Sequence, residues 1–307
     1  MTDTAIPTEA PEVSDEALRE ADAAIDRAIA ARDTSDLHVL GFGEFSVALG
    51  WPTAAPEYVL KRALVYDSRA SCQAHFDTIQ GFVDMLEANG ADVIASSLHV
   101  VERPDGRASG YVTQPLVPKD LLAQTALDRD EPRADHPVVL AHRDMAVHHC
   151  TPEYAVDLQV PNFAFDGDRY AYLDITSPVT WDADGTFTGP IPDELVRMVP
   201  APIRPTFRKE YAKAASGFRT LPGALHAALV FLHRGGHGQW APAFAEAFNE
   251  LLDEPIDLDA ARADYERFEK VIPMVKRTSR LQRWWQTTVR RGTYDTFITD
   301  SFSGELL

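Results

Sequence analysis

Residues 154–176 read YAVDLQVPNFAFDGDRYAYLDIT, and this segment is the most specific part of the chain for assigning a fold. Strand-like pieces stand on either side of Asp166-Gly167-Asp168, which is a typical turn sequence. Asp157 and Asn162 precede the turn, and Asp174 ends the second strand-like piece. Taken singly, Asp157 could be a turn residue and Asp174 a helix cap. The role that can be assigned to these residues therefore depends on which features occur in the rest of the chain.

A glycine-containing turn and a lysine come earlier in the sequence. Gly41, Gly43 and Ser46 stand between two predicted strands, where small residues would let backbone N–H groups approach phosphate oxygens closely. A third strand is predicted over 57–61, with Lys61 at its end as a point charge suited to phosphates. Each signal is weak alone, but this joint order is much less expected by chance.

In this order the features resemble the protein-kinase-like fold, and in particular its aminoglycoside/choline-kinase-like phosphotransferase branch. The family's glycine loop is similar to residues 41–48, and its strand lysine is similar to Lys61. Its catalytic loop, D-L-x-x-x-N, resembles residues 157–162, and its metal-binding aspartate resembles Asp174. The strand and hinge that join its two lobes, and contact the adenine, resemble residues 112–118.

The resemblance implies an α+β fold of two lobes, a small antiparallel β-rich N-lobe and a larger helical C-lobe. We expect a tail and helix over 1–34, a nucleotide-binding N-lobe over 35–116, and a C-lobe with catalytic loop and substrate region over 117–307. Strands followed by helices agree with this class. Helices are predicted from Asp15 onward and over 70–88, 120–127, 137–149, 207–219, 222–233, 241–252 and 259–291.

The resemblance also implies ATP and Mg²⁺ as cofactors, with transfer of the γ-phosphoryl group to a hydroxyl. The residues implied in nucleotide binding are Gly41, Gly43, Ser46, Lys61, Gln114 and Leu116. Asn162 and Asp174 would bind the metal through oxygen atoms. Lys61 and Asp157 are the catalytic candidates, with Asp157 accepting or orienting the proton of the acceptor hydroxyl.

In the family an acidic residue on a helix pairs with the strand lysine. The helix over 70–88 offers Asp77, Asp84 and Glu87, of which Asp77 is favoured because it lies in the middle.

Departures from the family pattern leave two further hypotheses open. Ala155 stands where the family has histidine, and Thr176 stands where its metal-binding triplet has glycine. These departures motivate a catalytically silent kinase-like scaffold or binding protein. Kinase-like nucleotidyl transfer is the other alternative. The A-P-E segment of protein kinases is missing, which fits the small-molecule branch better.

The composition limits the classes of partner that the protein is expected to bind. The 307 residues include 29 basic and 47 acidic residues, a formal net charge of −18, which disfavours nucleic acid and favours a cationic acceptor, either a small molecule or a peptide. No apolar run reaches the length of a membrane span. The acidic, proline-rich start lacks a secretory signal, and two cysteines make no disulfide framework, so we expect a cytoplasmic protein. The oligomeric state is left open.

Three other stretches are assigned no chemistry. Residues 1–13 are interpreted as a loose tail. The cluster formed by His142, His148, His149 and Cys150 lacks the paired spacing of a zinc site, so these are interpreted as structural residues. The basic stretch over 270–291 is interpreted as a packed terminal helix with a solvated face, or as a contact for an anionic partner, a peptide or a membrane surface.

Overall fold

The structure is a computed structural model, and it describes residues 5–42, 46–197 and 204–289. The strands are β1 (Val39–Phe42), β2 (Val47–Trp51), β3 (Tyr58–Tyr66), β4 (Ser97–Glu102), β5 (Ala108–Pro115), β6 (Tyr154–Ala155), β7 (Phe163–Phe165), β8 (Tyr170–Tyr172) and β9 (Val179–Thr180). The helices are α1 (Asp15–Ala31), α2 (Arg69–Ala88), α3 (Ala123–Arg129), α4 (Pro137–His149), α5 (Asp193–Arg197), α6 (Arg204–Ser216), α7 (Leu221–Arg234), α8 (Ala241–Asn249) and α9 (Leu258–Trp284). The predicted α+β class is therefore confirmed. Across the described ranges, no helix combines the length and the apolar character that crossing a membrane requires.

One antiparallel sheet of five strands forms the first half of the fold, in the order β1-β2-β3-β5-β4. The central strand β3 is longer than the sequence predicts, because β5 continues to pair with it as far as Tyr66, which lies opposite Ala108. Lys61 is consequently in the middle of this strand, and the expectation that it ends the strand is wrong. The ladder shifts register between Arg62 and Val65, beyond the lysine.

Helix α1 covers one face of this sheet. It begins after Ser14, whose hydroxyl accepts a hydrogen bond from the N–H of Ala17 (3.2 Å), as the sequence predicts for a helix starting at Asp15. Its apolar stripe packs on inward-facing residues of the strands, among them Leu49 and Tyr111. The helix therefore shields the rear of the sheet from water.

A charged cluster lies between α1 and the sheet, and we call it the Arg62 cluster; its members are Asp22, Asp26, Arg62, Arg103 and Tyr111. Arg62 contacts both aspartates, at 3.2 Å to Asp22 and 2.8 Å to Asp26. Arg103 also pairs with both. The hydroxyl of Tyr111 donates to Asp22 Oδ1 at 2.6 Å. Because these groups are mostly buried, their charges are balanced within the cluster rather than by water.

Helix α2 packs on the opposite face of the sheet. Ser68 and Ser71 form a reciprocal capping box at its start, and it ends at Ala88, in agreement with the predicted end of the helix. Its buried side chains meet Val112, which faces away from α1 because alternate residues of a strand point to opposite sides. A Cβ at Gly110 would lie 2.8 Å from the ring of Phe76, so glycine permits this close packing.

The hairpin of β7 and β8 is the sheet that the stretch over 154–176 predicts. Its turn uses Gly167 at φ +103°, and Asp166 Oδ1 accepts hydrogen bonds from the N–H groups of Asp168 (3.1 Å) and Arg169 (2.9 Å). The rings of Phe163 and Tyr170 stack across the two strands at 4.7 Å. The hairpin thus brings the residues before β7 and after β8 to the same end.

The described part of the N-terminal tail is anchored at Ile6, contrary to the interpretation of residues 1–13 as loose. Ile6 is 1% exposed and packs among apolar residues, including Ile94 and Leu121. Its N–H donates to Asp166 Oδ2 (3.1 Å), and its carbonyl accepts from the guanidinium of Arg169 (2.9 Å). The tail gains this position from partners that are distant in sequence, up to 163 residues away for Arg169, and local sequence patterns do not reveal them.

Helices form most of the second half, around a core that includes Trp240, whose indole N–H donates to the carbonyl of Leu127 (3.0 Å). The sequence does not predict the short helix α5. It contacts the end of β3, because Arg197 pairs with Asp67 at 2.7 Å and Glu194 accepts from the N–H of Asp67 at 3.2 Å.

Helix α9 is followed by a π-helical turn over Trp285–Val289, and the predicted residues 290 and 291 lie outside the described ranges. Cys72 and Cys150 are both buried free thiols.

Candidate active site

The predicted lysine and the start of the glycine turn share one row across the sheet. Gly41 lies opposite Ala48, and Ala48 lies opposite Lys61. Directly opposed residues point to the same face, so this row presents small residues beside the lysine. A Cβ at Gly41 would meet no atom of the described residues within 4 Å, so those residues leave space over the row there. Ser46 is half-buried just before β2, and Gly43 lies outside the described residues.

The ammonium of Lys61 reaches the chain that follows β8. Its Nζ donates to the carbonyl of Leu173 at 3.0 Å and lies 3.9 Å from Oδ1 of Asp174. Only 14% of the lysine side chain is exposed. Burial lowers the pKa of Lys61, and the negative charge of Asp174 opposes that shift. The contact joins the sheet to the hairpin across 112 residues of sequence.

Asp174 and Asn162 are held together by the hairpin. The N–H of Leu173 donates to the carbonyl of Asn162 at 2.8 Å. Oδ1 of Asp174 accepts from the hydroxyl of Thr176 at 2.7 Å, and the amide of Asn162 donates to the carbonyl of Asp157 at 3.4 Å. Among the described residues, none donates a hydrogen bond to Oδ2 of Asp174 or to the amide oxygen of Asn162. Each side chain therefore offers an oxygen to a ligand.

Asp157 lies in the same neighbourhood. Its main-chain N–H donates to the hydroxyl of Tyr172 at 3.4 Å. Burial raises the pKa of Tyr172 well above its ordinary value, and the negative charges of Asp174 and Asp157 raise it further. Both carboxylates thus act on one buried phenol. The four residues Lys61, Asp157, Asn162 and Asp174 are accordingly brought together, as the sequence order led us to expect.

Gln159 takes part in the site, although the sequence does not predict a role for it. Its main-chain N–H donates to Oδ1 of Asp157 (3.2 Å), and its side-chain amide donates to Oδ2 (2.7 Å). Both carboxylate oxygens of the predicted base are thereby bound within its own loop. Its place inside the D-L-x-x-x-N motif is the only sequence signal for this role.

Gln114 was predicted to contact the adenine, but its side-chain amide is used inside the protein. The residue is 4% exposed, and its Nε2 donates to the carbonyl of Leu173 (2.8 Å) and to the hydroxyl of Ser96 (3.0 Å). Leu116, also predicted to contact adenine, is half-buried just after β5. Contacts of the main chain here with a nucleotide stay a prediction.

The prediction that Asp77 pairs with Lys61 is wrong. Asp77 is exposed and accepts a hydrogen bond from Gln73 at 2.8 Å. The other two candidates, Asp84 and Glu87, are exposed as well. The side of α2 that faces the sheet is apolar, with buried residues Cys72, Phe76, Ile79, Phe82, Val83 and Leu86. Because these residues recur at helical spacing, the sequence held the signal that places Asp77 on the outer side.

The donor set fits a magnesium ion better than a metal bound by protein ligands alone. Within the described ranges, no three His, Cys, Asp or Glu side chains form a group that could hold a metal ion. His142 packs against aromatic rings, and burial lowers its pKa to about 4. Asn162 and Asp174 offer two hard oxygens. Mg²⁺ is commonly held by one or two such protein oxygens, with phosphate and water completing its coordination.

The chain matches no protein-family model, and a search of the curated proteins finds no match. The site itself consists of an ammonium, a carboxylate and an amide gathered at one end of a hairpin, with a second carboxylate nearby.

Proposed function

We propose that this chain is an ATP- and Mg²⁺-dependent phosphotransferase, which moves the γ-phosphoryl group to a hydroxyl of a small molecule or a peptide. The observation that carries the proposal is the contact of Lys61 with the end of the hairpin, 3.9 Å from Asp174. In a metal-bound triphosphate, the buried lysine suits the phosphates and the carboxylate suits the metal ion. Both groups lie beside the row of small residues that leaves space above the sheet. The resemblance to the kinase-like fold supports the same conclusion.

Lys61 would bind the phosphates as a point charge. It is largely shielded from water, so its interaction with an anion would be screened less than at the surface. The open row from Gly41 to Ala48 would leave room for the triphosphate above the sheet. Phosphoryl transfer depends mainly on such positioning and on neutralising charge.

Asn162 and Asp174 would hold Mg²⁺, with Thr176 keeping the carboxylate oriented through its 2.7 Å hydrogen bond. When bound, the ion neutralises charge on the phosphate oxygens. Asp157 would orient the acceptor hydroxyl and take its proton, a role for which a carboxylate within hydrogen-bond reach is suited. Because Gln159 occupies both oxygens of Asp157, the acceptor would displace the side-chain amide of Gln159.

The acceptor would approach from the segment after Asp174, which includes α5. The net charge of −18 would attract a cationic acceptor, such as an amine-bearing small molecule or a basic peptide. The chemistry of the site requires only that the acceptor carry a hydroxyl.

The test compares two Asp→Asn variants. Asp157→Asn removes the base and is expected to lower Mg²⁺-ATP turnover at least about 100-fold, since general base catalysis contributes that much or more. Asp77→Asn makes the same chemical change on the outer side of α2 and is expected to leave turnover unchanged. Equal turnover in Asp157→Asn and the unmodified protein would rule out the assigned base.

One observation favours a second candidate, a silent kinase-like binding protein. The two hydrogen bonds from Gln159 hold Asp157 within its own loop, and Ala155 replaces the family's histidine. A thermal-shift titration with ATP, with and without Mg²⁺, separates the two. Nucleotide binding that needs neither Mg²⁺ nor Asp174, with no turnover, would favour the silent protein. Intact-mass analysis of an acceptor distinguishes an added phosphoryl group from an added nucleotidyl group.

A further inference from the structure

One main-chain carbonyl receives two donors from the sheet. The oxygen of Leu173 accepts from Nζ of Lys61 at 3.0 Å and from Nε2 of Gln114 at 2.8 Å. The residue that carries this carbonyl directly precedes Asp174. The position of the carbonyl therefore affects both the ammonium and the carboxylate.

Gln114 is fixed in place from the sheet side. Its second amide hydrogen bond goes to the hydroxyl of Ser96 at 3.0 Å, and Gln114 lies opposite Val59, two residues before Lys61 on β3. The side chains of Gln114 and Lys61 therefore extend from adjacent strands and donate to the same carbonyl oxygen. The side of α2 that faces them provides no acid to orient the lysine.

We propose that Gln114 is the positioning residue for Lys61, and that it does so by holding the Leu173 carbonyl against the sheet. In this arrangement the carbonyl orients the ammonium, and the hydrogen bond from Gln114 keeps the carbonyl at a constant place relative to β3. Lys61 is then presented beside Asp174 without a helix acid. The inference rests on the proposed function only for the role of Lys61 toward the nucleotide.

A double-mutant cycle on Mg²⁺-ATP binding tests this. Gln114→Met keeps the length of the side chain and removes both donors, and it is expected to weaken Mg²⁺-ATP binding about two- to tenfold, the range that one hydrogen bond is worth. In a Lys61→Met background the same change is expected to cause no further loss, because Gln114 acts through the lysine. Equal losses in both backgrounds, or no loss in either, would overturn the proposal.

The matched control is Thr113→Val on the same strand. Thr113 is fully buried and shares a 2.9 Å hydrogen bond with His99, but it lies on the face toward α1. This variant loses one partly buried hydrogen bond, whereas Gln114→Met loses two, and it is expected to lower the melting temperature while Mg²⁺-ATP affinity stays unchanged. An equal loss of affinity in Thr113→Val and Gln114→Met would mean that Gln114 has a structural role only.

A second readout needs no nucleotide. Lys61 is acylated with an amine-reactive ester, and the modified peptide is quantified by mass spectrometry. Because Gln114→Met releases the carbonyl that holds the ammonium, the labelling rate of Lys61 is expected to rise about two- to tenfold, and in Thr113→Val to stay constant. Unchanged labelling in Gln114→Met would overturn the proposal. If the unmodified protein binds no Mg²⁺-ATP, the proposed function fails, and this labelling alone decides the role of Gln114.

Discussion

Lys61 keeps its ammonium in a place where water screens it little. Its side chain is 14% exposed, and a carboxylate oxygen of Asp174 lies 3.9 Å from its ammonium. Burial makes the charged form less favourable, while Asp174 makes it more favourable, and burial is the larger effect. A lysine in this state loses its proton more readily than a surface lysine, and its function depends on pH accordingly.

Affinity for Mg²⁺-ATP is therefore expected to fall as the pH rises through the lowered pKa of Lys61. The ammonium form, which binds phosphate, exists below the pKa; since that pKa is below the ordinary 10.5, the loss begins at a lower pH than for an exposed lysine. Dissociation constants measured from about pH 8 upward check this. Lys61→Arg is the control, because arginine stays protonated throughout. An identical pH dependence in both proteins would contradict the expectation.

Local patterns predicted some members of the site and could not predict others. Lys61, Asp157 and Asp174 are candidates because their order along the chain resembles that of the kinase-like motifs. The carbonyl of Leu173 has no sequence signature, because every residue carries one, and only the three-dimensional path of the chain selects it. The role of Gln159 could not be predicted for a related reason. Its contact with Asp157 depends on the side-chain conformation that it adopts within a loop, which has no sequence signature.

At the scale of elements, α1 and α2 were predicted closely because capping residues and apolar periodicity are local signals. The length of β3 could not be predicted from the sequence, because a strand continues as long as a partner strand pairs with it. α5 was missed because five residues are too few for a helical period to be recognised. The two helices differ in how they contact the sheet. Helix α2 packs an apolar surface on it, whereas α1 adds to its apolar stripe two carboxylates that balance buried arginines.

The Arg62 cluster should make the larger contribution to stability among the arginine pairs near the sheet. Arg62→Met leaves Arg103 as the one cation of the cluster for Asp22 and Asp26, and it is expected to lower the free energy of unfolding by about 3 kcal/mol, the lower end for breaking a buried ion pair. Arg69→Met is the control, because Arg69 and Glu102 pair at 3.3 Å on the surface, with side chains 60% and 66% exposed. Urea unfolding of both variants measures this. Equal losses would contradict the buried role of the cluster.

At the scale of the molecule, one short N-terminal stretch contacts both halves of the fold. Ile6 lies against the hairpin of β7 and β8, 160 residues away in sequence from Asp166, whereas α1 covers the rear of the five-stranded sheet. The described residues from 5 to 31 therefore connect the sheet to the hairpin that carries Asp174. A contact of such sequence separation depends on the complete fold, so it could not be predicted from a polar, proline-rich tail.

Ile6→Ala is expected to lower the free energy of unfolding by about 2–4 kcal/mol, because it removes buried apolar volume at a site that is 1% exposed. Thr8→Ala, two residues along and exposed, serves as the control and is expected to leave stability unchanged. Urea unfolding provides the measurement. A stability of Ile6→Ala equal to that of the unmodified protein would mean that the tail does not hold the hairpin.

The two buried cysteines sit in different halves, Cys72 in α2 against the sheet and Cys150 at the end of α4. Burial raises the pKa of each thiol to about 12, so almost no thiolate is present at neutral pH. An alkylating reagent would consequently modify each sulfur only during moments when its surroundings open. The ratio of the alkylation rates of Cys72 and Cys150 therefore tells whether the two halves open together or one before the other.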